Sequence, residues 1–454
     1  MNKLFSDFPK ISKEKWEEKL TKELKGADFE SSFMRTDELE DLFYSTYSHK
    51  QDASLSAEVP GEYPFTRSGK TTNNDWNIAS LVVVTDEKEA NIRALDFLMT
   101  GCTSLIFETR KNIINWEILF DQIGFEYIQT QFILTDFEQY TSLRKSLKGK
   151  ENCIFLYRLD FFFTEKWMSN FTNFIQVPSS ETLRFCHVNT FEIQQCGANI
   201  SQEVSFGLAV GHEYLVKLME NGYTIDQAAS SIHFSIGVGA NYFYEMAKVR
   251  ALRKLWSKIV KSYNPKNENS AICPITAEIG HMNKSVKDPY TNLLRQTTEA
   301  MSAVSAGVDT LLIHPYNSKS TEGTTELAAR MAMNISLILK DESYFDMVID
   351  PIGGSYSIEL LTEQIAEKSW GLFQEIDTAG GICSTDAVDV LKEKILDKAK
   401  IRLEKVKSGQ QVIIGVNKFP NPEVEENSWL PEESFLGLKK IVFERDLKIN
   451  LKVN

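Results

Sequence analysis

The chain has 454 residues, 42% hydrophobic and 25% charged, with 63 acidic against 50 basic side chains and a net charge of -13. This is a globular composition, and its acidic surplus argues against non-specific nucleic-acid binding, which takes a basic face. No run reaches the ~18–20 apolar residues of a membrane helix, and MNKLFSDFPKISKEKWEEK turns charged before a secretory signal can develop.

Six cysteines (Cys102, Cys153, Cys186, Cys196, Cys273, Cys383) stand at wide, irregular gaps with no CxxC pair, the pattern of reduced thiols in a cytoplasmic protein. Six scattered histidines lack HExxH or similar ligand spacing, so no metal site is expected.

Residues 1–75 read as an N-terminal arm and loop. Ser12 is placed to cap a helix carrying Trp16, Leu20 and Leu24, which Gly26 stops. So narrow an apolar stripe needs another surface to cover it, from its own barrel or a second chain. The turn-rich segment Val59–Asp75 reads as an ordered loop leading to the first strand.

From Trp76 short β-rich runs recur at Leu81–Val84, Ser104–Phe107, Gln131–Leu134, Cys153–Tyr157, Arg184–Val188, Ile232–Ile236, Ala271–Glu278 and Asp309–Ile313. Most are separated by segments of helical period, which predicts an α/β fold, a closed (β/α)8 TIM barrel spanning 76–420. A doubly wound sheet is the alternative, but no GxGxxG follows the first strand.

Two connecting helices can be read in detail. Asp288 is a natural N-cap before Pro289, and Gly307 ends that helix, with Leu293, Leu294, Thr297, Ala300, Met301 and Val304 expected inward. In NYFYEMAKVRALRKLWSKIV, Phe243, Met246, Val249, Trp256 and Ile259 are expected inward, and Lys248, Arg250 and Arg253 toward water. Helices follow at 325–339 and 386–407, with a Gly353-Gly354 turn between them and a C-terminal tail over 421–454.

Several longer motifs are specific. YPFTRSG (Tyr63–Gly69), IGVGANYFYEMAKVRALRKLW (Ile236–Trp256), DPYTNLLRQTTEAMSAVSAGVDTLLIHPYN (Asp288–Asn317), DPIGGSYSIELLTEQIAEKSW (Asp350–Trp370) and VIIGVNKF (Val412–Phe419) run in one order. Together they resemble the methylmalonyl-CoA mutase family. The resemblance implies a (β/α)8 barrel that threads a CoA chain along its axis, and a separate C-terminal domain holding cobalamin through a DxHxxG motif. No DxHxxG is present, and 37 residues follow Asn417, where a doubly wound domain takes well over about 100. The expectation is therefore a chain with no C-terminal cobalamin-binding domain.

Catalytic chains of the family typically read GYHMQEAGA after one strand, with the tyrosine packed on substrate and the histidine hydrogen-bonding the thioester carbonyl. Aligned on Gly197-Ala198, Phe191 stands for that tyrosine and Glu192 for that histidine. A carboxylate accepts but does not donate, so Glu192 would repel the oxygen it should stabilise. No catalytic residue is assigned here. The weak candidates for substrate contact are Arg67, Lys70, Gln195 and Glu278.

These departures resemble the small (beta, non-catalytic) subunit of a heterodimeric methylmalonyl-CoA mutase, an isomerase of propanoyl-CoA metabolism. The resemblance implies adenosylcobalamin on a large catalytic partner and none on this chain. It also implies an N-terminal arm that wraps the partner. Two alternatives stay open. One is a catalytic barrel chain of a split acyl-CoA mutase that receives cobalamin from a separate protein. The other is a cobalamin-independent barrel enzyme using Glu192 and Glu278 as an acid/base pair.

Overall fold

The computed structural model describes residues 11–45, 58–110, 113–150, 153–158, 171, 183–420 and 428–447. Residues 1–10 and 46–57 of the expected arm, and 421–427 and 448–454 of the expected tail, lie outside them.

Eight parallel strands close into a barrel. They are β1 (Asn77–Val84), β2 (Ser104–Thr109), β3 (Gln129–Ile133), β4 (Ile154–Arg158), β5 (Leu183–Arg184 and Cys186–Asn189), β6 (Ile232–Val238), β7 (Ile275–Ile279) and β8 (Thr310–Leu312). Each pairs with the next in sequence, and β8 returns to β1 through Leu311 opposite Ile78. Every strand candidate read from the sequence is one of these.

β5 is broken by a bulge: the N–H groups of Phe185 and Cys186 both donate to Ser231 O at 2.9 Å. Before the bulge it pairs with β4, after it with β6. The extra residue re-aims the strand at the closing point of the barrel.

The barrel axis is filled. Across its lower half Gln131 Nε2 of β3 donates to Thr276 Oγ1 of β7 at 3.2 Å, and Thr310 Oγ1 of β8 donates to Gln129 Oε1 at 2.9 Å. Above this polar layer Ala79, Ile106 and Leu312 pack together, with Leu81 and Ile133 against them. Gln131 and Ile106 are fully buried, and Leu312 is 1% exposed.

The outer layer corrects two sequence expectations. In the helix Tyr242–Ser262, Lys248, Arg250 and Arg253 are not in water but 1% exposed, while Phe243 is 60% exposed. Lys248 Nζ meets Glu203 at 2.8 Å and Glu245 at 2.5 Å. Arg250 meets Asp350 at 2.5 Å and Glu359 at 2.7 Å, and Arg253 donates to the carbonyls of Ala306 and Gly307. This helix lies between the barrel and a further helix, Tyr356–Thr378, so both its faces are covered. Buried charges persist only when paired, and the partners are up to 109 residues away in sequence.

The second helix runs Thr291–Ser305 with Tyr290 at its N-cap; Asp288 and Pro289 precede it in a turn. It buries Asn292, Gln296 and Glu299, and leaves Leu294 70% exposed. Ala300 and Val304 are buried and Leu293 and Met301 pack on the core as expected, and beside them Asn292 and Gln296 donate to the carbonyls of Tyr316 and His314 and Glu299 pairs with Lys284.

In the arm, Ser12 caps the helix Lys13–Glu23, which has no buried residue. The hairpin Met34–Asp37 with Leu42–Ser45 is fastened to the barrel through Glu40, which pairs with Arg402 at 3.2 Å and accepts from Ile200 N at 2.8 Å. All six cysteines are free, Cys383 alone among them exposed. Among the described residues no helix is long and apolar enough to cross a membrane.

Candidate functional site

A cavity of about 670 Å³ opens at the C-terminal ends of the strands, the face where barrels of this kind carry their chemistry. Its floor is an ion pair across the barrel between Arg158, the last residue of β4, and Glu278 of β7, whose side chains are 6% and 4% exposed. His314, just past β8, lies 3.5 Å from the other Glu278 oxygen. Burial raises the Glu278 carboxyl, but Arg158 and His314 outweigh it and hold it at about 2. Beside this pair the rings of His187 and His233, on adjacent strands, stack at 4.9 Å. Burial, with His187 next to it, holds His233 neutral.

β5 ends at Asn189 and leads straight into a short helix, Phe191–Gln195. Phe191 is 7% exposed, its ring 6.3 Å from His281 and 6.0 Å from His314. Burial, with His314 next to it, holds His281 far below the usual histidine range. Glu192 lines the cavity already paired: Lys440 Nζ lies 2.5 Å from its carboxylate. Gln195 is a bracket. Its side-chain oxygen accepts from His281 N and its backbone oxygen from Ile441 N, both at 2.8 Å.

The segment 428–447 covers this mouth. Phe443 N donates to Met282 O at 3.0 Å, and Glu444 accepts from Ser285 Oγ at 2.6 Å, Val286 N at 2.9 Å and Trp429 Nε1 at 3.0 Å. Glu433 joins Lys319 at 2.6 Å and Lys440 at 2.9 Å; burial raises its carboxyl, but the two lysines hold it at about 2. Gly197 sits at φ +96°, and a Cβ there would stand 2.6 Å from Ile441 Cδ1 and 2.8 Å from Ala399 Cβ. At the Gly-Ala turn of the sequence this segment and the helix Thr385–Lys407 pack closely enough to leave no room for a side chain.

Of the residues singled out in the sequence, Phe191, Glu192, Gln195 and Glu278 converge on the cavity, and Arg67 and Lys70 do not line it. Arg67 pairs with Asp350 at 2.7 Å and donates to Glu58 O, between the arm and the outer helices. Lys70 donates to Val308 O at 2.8 Å and Asn74 Oδ1 at 3.2 Å, near the N-terminal end of β8 and so at the opposite end of the barrel. Burial brings its amine down to about 8. Sequence reasoning missed Arg158, His314 and Lys440. A basic residue closing the apolar run CIFLYR was the available signal for the first. Nothing local marks the others. Among the described residues no three His, Cys, Asp or Glu side chains group closely enough to hold a metal ion.

The arrangement binds charge more readily than it transfers protons. Glu278 stays ionised far below neutral pH and Glu192 is neutralised by a lysine, so neither matches a general acid or base poised near pH 7.

The sequence profile of the family described as methylmalonyl-CoA mutase matches residues 161–434. A methylmalonyl-CoA mutase small subunit from Porphyromonas gingivalis is 36% identical over 92% of this chain and 71% of its own length. A methylmalonyl-CoA mutase from Cereibacter sphaeroides is 33% identical over 64% of this chain and 42% of its own length. The mitochondrial methylmalonyl-CoA mutase of Homo sapiens is 27% identical over 95% of this chain and 64% of its own length. The chain thus spans between two fifths and about seven tenths of these relatives. With its closed barrel and the match over more than half its length, the chain belongs to the methylmalonyl-CoA mutase family.

Proposed function

We propose that this chain is the small, non-catalytic subunit of a heterodimeric methylmalonyl-CoA mutase in the cytoplasm. It would support a large partner that interconverts methylmalonyl-CoA and succinyl-CoA. The observation that carries this reading is the filled axis. A CoA chain threaded through the barrel would have to displace the Gln129, Gln131, Thr276 and Thr310 hydrogen bonds and the Ala79, Ile106 and Leu312 layer above them. The degenerate positions Phe191 and Glu192 agree with it: one cannot donate a hydrogen bond, and the other is an acceptor already held by Lys440.

Adenosylcobalamin belongs to this proposal through the partner. The residues of this chain do not fit it. The face against which a corrin ring would lie is covered by the segment from Trp429 to Arg445, and the 670 Å³ beneath suits a small molecule. The helix Lys13–Glu23, which buries no residue on its own chain, is the part of the arm available to wrap the partner.

The test is mutase activity and bound cobalamin in three samples: this chain, a large methylmalonyl-CoA mutase chain from the same source, and both co-purified. Activity and cobalamin that require the large chain, with Glu192→Gln here leaving turnover within about twofold, support the proposal. Turnover of a CoA ester by this chain alone, or with only a small cobalamin-binding protein, rejects it in favour of a split catalytic barrel.

A further inference from the structure

We propose that Glu203 holds a proton inside the fold, and that its release on alkalinisation loosens the short helix Phe191–Gln195. This is independent of the subunit role, because it concerns the chain by itself.

The hydrogen count at Thr190 carries the argument. Thr190 stands between β5 and the short helix, and Glu203 lies on the helix Ile200–Glu220; both are 1% exposed. The Thr190 hydroxyl oxygen is 3.0 Å from Glu203 Oε1 and 3.0 Å from Ser235 O of β6. If Glu203 is ionised, both neighbours are acceptors, and a threonine hydroxyl has one hydrogen to give. A proton on Oε1 resolves the conflict. Glu203 then donates to Thr190 Oγ1, Thr190 donates to Ser235 O, and Oε1 keeps a lone pair for Gly237 N at 2.9 Å.

The charge count agrees. Lys248 Nζ is one ammonium between two carboxylates, 2.8 Å from Glu203 and 2.5 Å from Glu245, and it also donates to Gly237 O. The Lys248, Glu203 and Glu245 side chains are 1%, 2% and 7% exposed, and among the described residues neither carboxylate has a second ion-pair partner. Glu40 of the arm hairpin adds to the negative field around Glu245, and Arg402 is taken up by Glu40 itself. Two buried carboxylates on one cation leave a charge unbalanced, which a bound proton removes. Burial raises the Glu203 carboxyl, Lys248 opposes it and Glu245 adds to it, leaving it at about 7.

Release rewires Thr190. The ionised Glu203 claims the hydroxyl hydrogen in a charge-assisted bond, and Ser235 O loses it. Thr190 is the N-cap of the short helix, and its carbonyl accepts from Gln194 N at 3.1 Å. Opened to water, Glu203 returns to the ordinary 4.5, so the closed form binds the proton more tightly. Opening therefore becomes easier as the pH rises from 4.5 through about 7, and levels off above.

The experiment is infrared difference spectroscopy and amide exchange on the intact chain as a function of pH. A protonated-carboxyl stretch present at pH 5, lost by pH 9 and missing in Glu203→Gln is expected. Exchange over residues 190–196 should rise about tenfold between pH 6 and pH 8 beyond the base-catalysed rise, and Glu203→Gln should abolish that excess. In Glu245→Gln the remaining carboxylate balances Lys248, so the proton should leave at least about one pH unit lower. Circular dichroism establishes whether Glu203→Gln folds; if it does not, the wild-type exchange and Glu245→Gln decide. No Glu203-dependent band at pH 5, a band that persists at pH 9, no excess exchange, or a midpoint unmoved in Glu245→Gln overturns the proposal.

Discussion

Arg158→Leu is the most informative single perturbation of this barrel. In the native protein Glu278 is held at about 2 against an ordinary 4.5, because Arg158 and His314 outweigh its burial. A depression of that size corresponds to about 3 kcal/mol of native stability at neutral pH. It is fully present above pH 4.5, and is lost as the pH falls from there through the folded value near 2.

Replacing Arg158 by leucine removes that contribution and leaves a carboxylate, 4% exposed, with His314 at 3.5 Å as its one remaining ion-pair partner among the described residues. Breaking a buried pair from one side costs about 3–5 kcal/mol, a large share of the roughly 5–15 kcal/mol that holds a typical domain together. The variant's Glu278 is raised by burial, so its penalty applies above its new folded value and disappears below it. The gap between wild type and variant therefore narrows on acidification.

The assay is urea unfolding at pH 7 and pH 4, followed by tryptophan fluorescence and circular dichroism and analysed where the two transitions coincide. Arg158→Leu/Glu278→Leu, with no orphaned charge, should recover most of the loss. A single-variant loss below about 1 kcal/mol, a gap that does not change with pH, or a double variant as unstable as the single one refutes the reasoning.

Two further perturbations address the segment over the mouth. Gly197→Ala forces a side chain onto a φ of +96° and into Ile441 and Ala399, and should destabilise by about 2 kcal/mol or more; urea midpoints measure it, and a loss below about 0.5 kcal/mol contradicts the packing. Lys440→Met strips the cation shared by Glu192 and Glu433. Local opening of residues 428–447 should become easier by about 1.4 kcal/mol, a tenfold rise in amide exchange there, and unchanged exchange would mean that the segment is held by its other bonds, those of Ile441, Phe443 and Glu444 among them.

The legible part of the fold was the part with local grammar. Strand runs such as LVVV at Leu81–Val84 and turn residues such as Gly307 announce themselves over a few neighbours, and all eight strands were found. The two helix readings placed most of the apolar stripe correctly, with Met246, Val249, Trp256, Ile259, Ala300 and Val304 buried, and missed the buried polar residues for a shared reason. Period 3.6 says which residues lie on one face, but not how many faces are covered. Lys248, Arg250 and Arg253 went from expected solvent to 1% exposed because a second helical layer brings Glu203, Glu359 and the carbonyls after Ser305 to them.

The site divides the same way. Phe191, Glu192 and Gln195 were found because a contiguous motif carries them, and Glu278 because it sits in a strand run. Arg67 and Lys70 were nominated by charge in a loop, and charge alone does not reveal that Asp350 and Val308, more than 200 residues away, already engage them. By itself the sequence determined the strand count and the family motifs, since each is a property of neighbouring residues. Only the tertiary structure decided that the axis is filled, that Glu192 belongs to Lys440 and that Arg158 pairs with Glu278 across the barrel. Each of these depends on which side chains meet across a closed barrel, and that distance is not written along the chain.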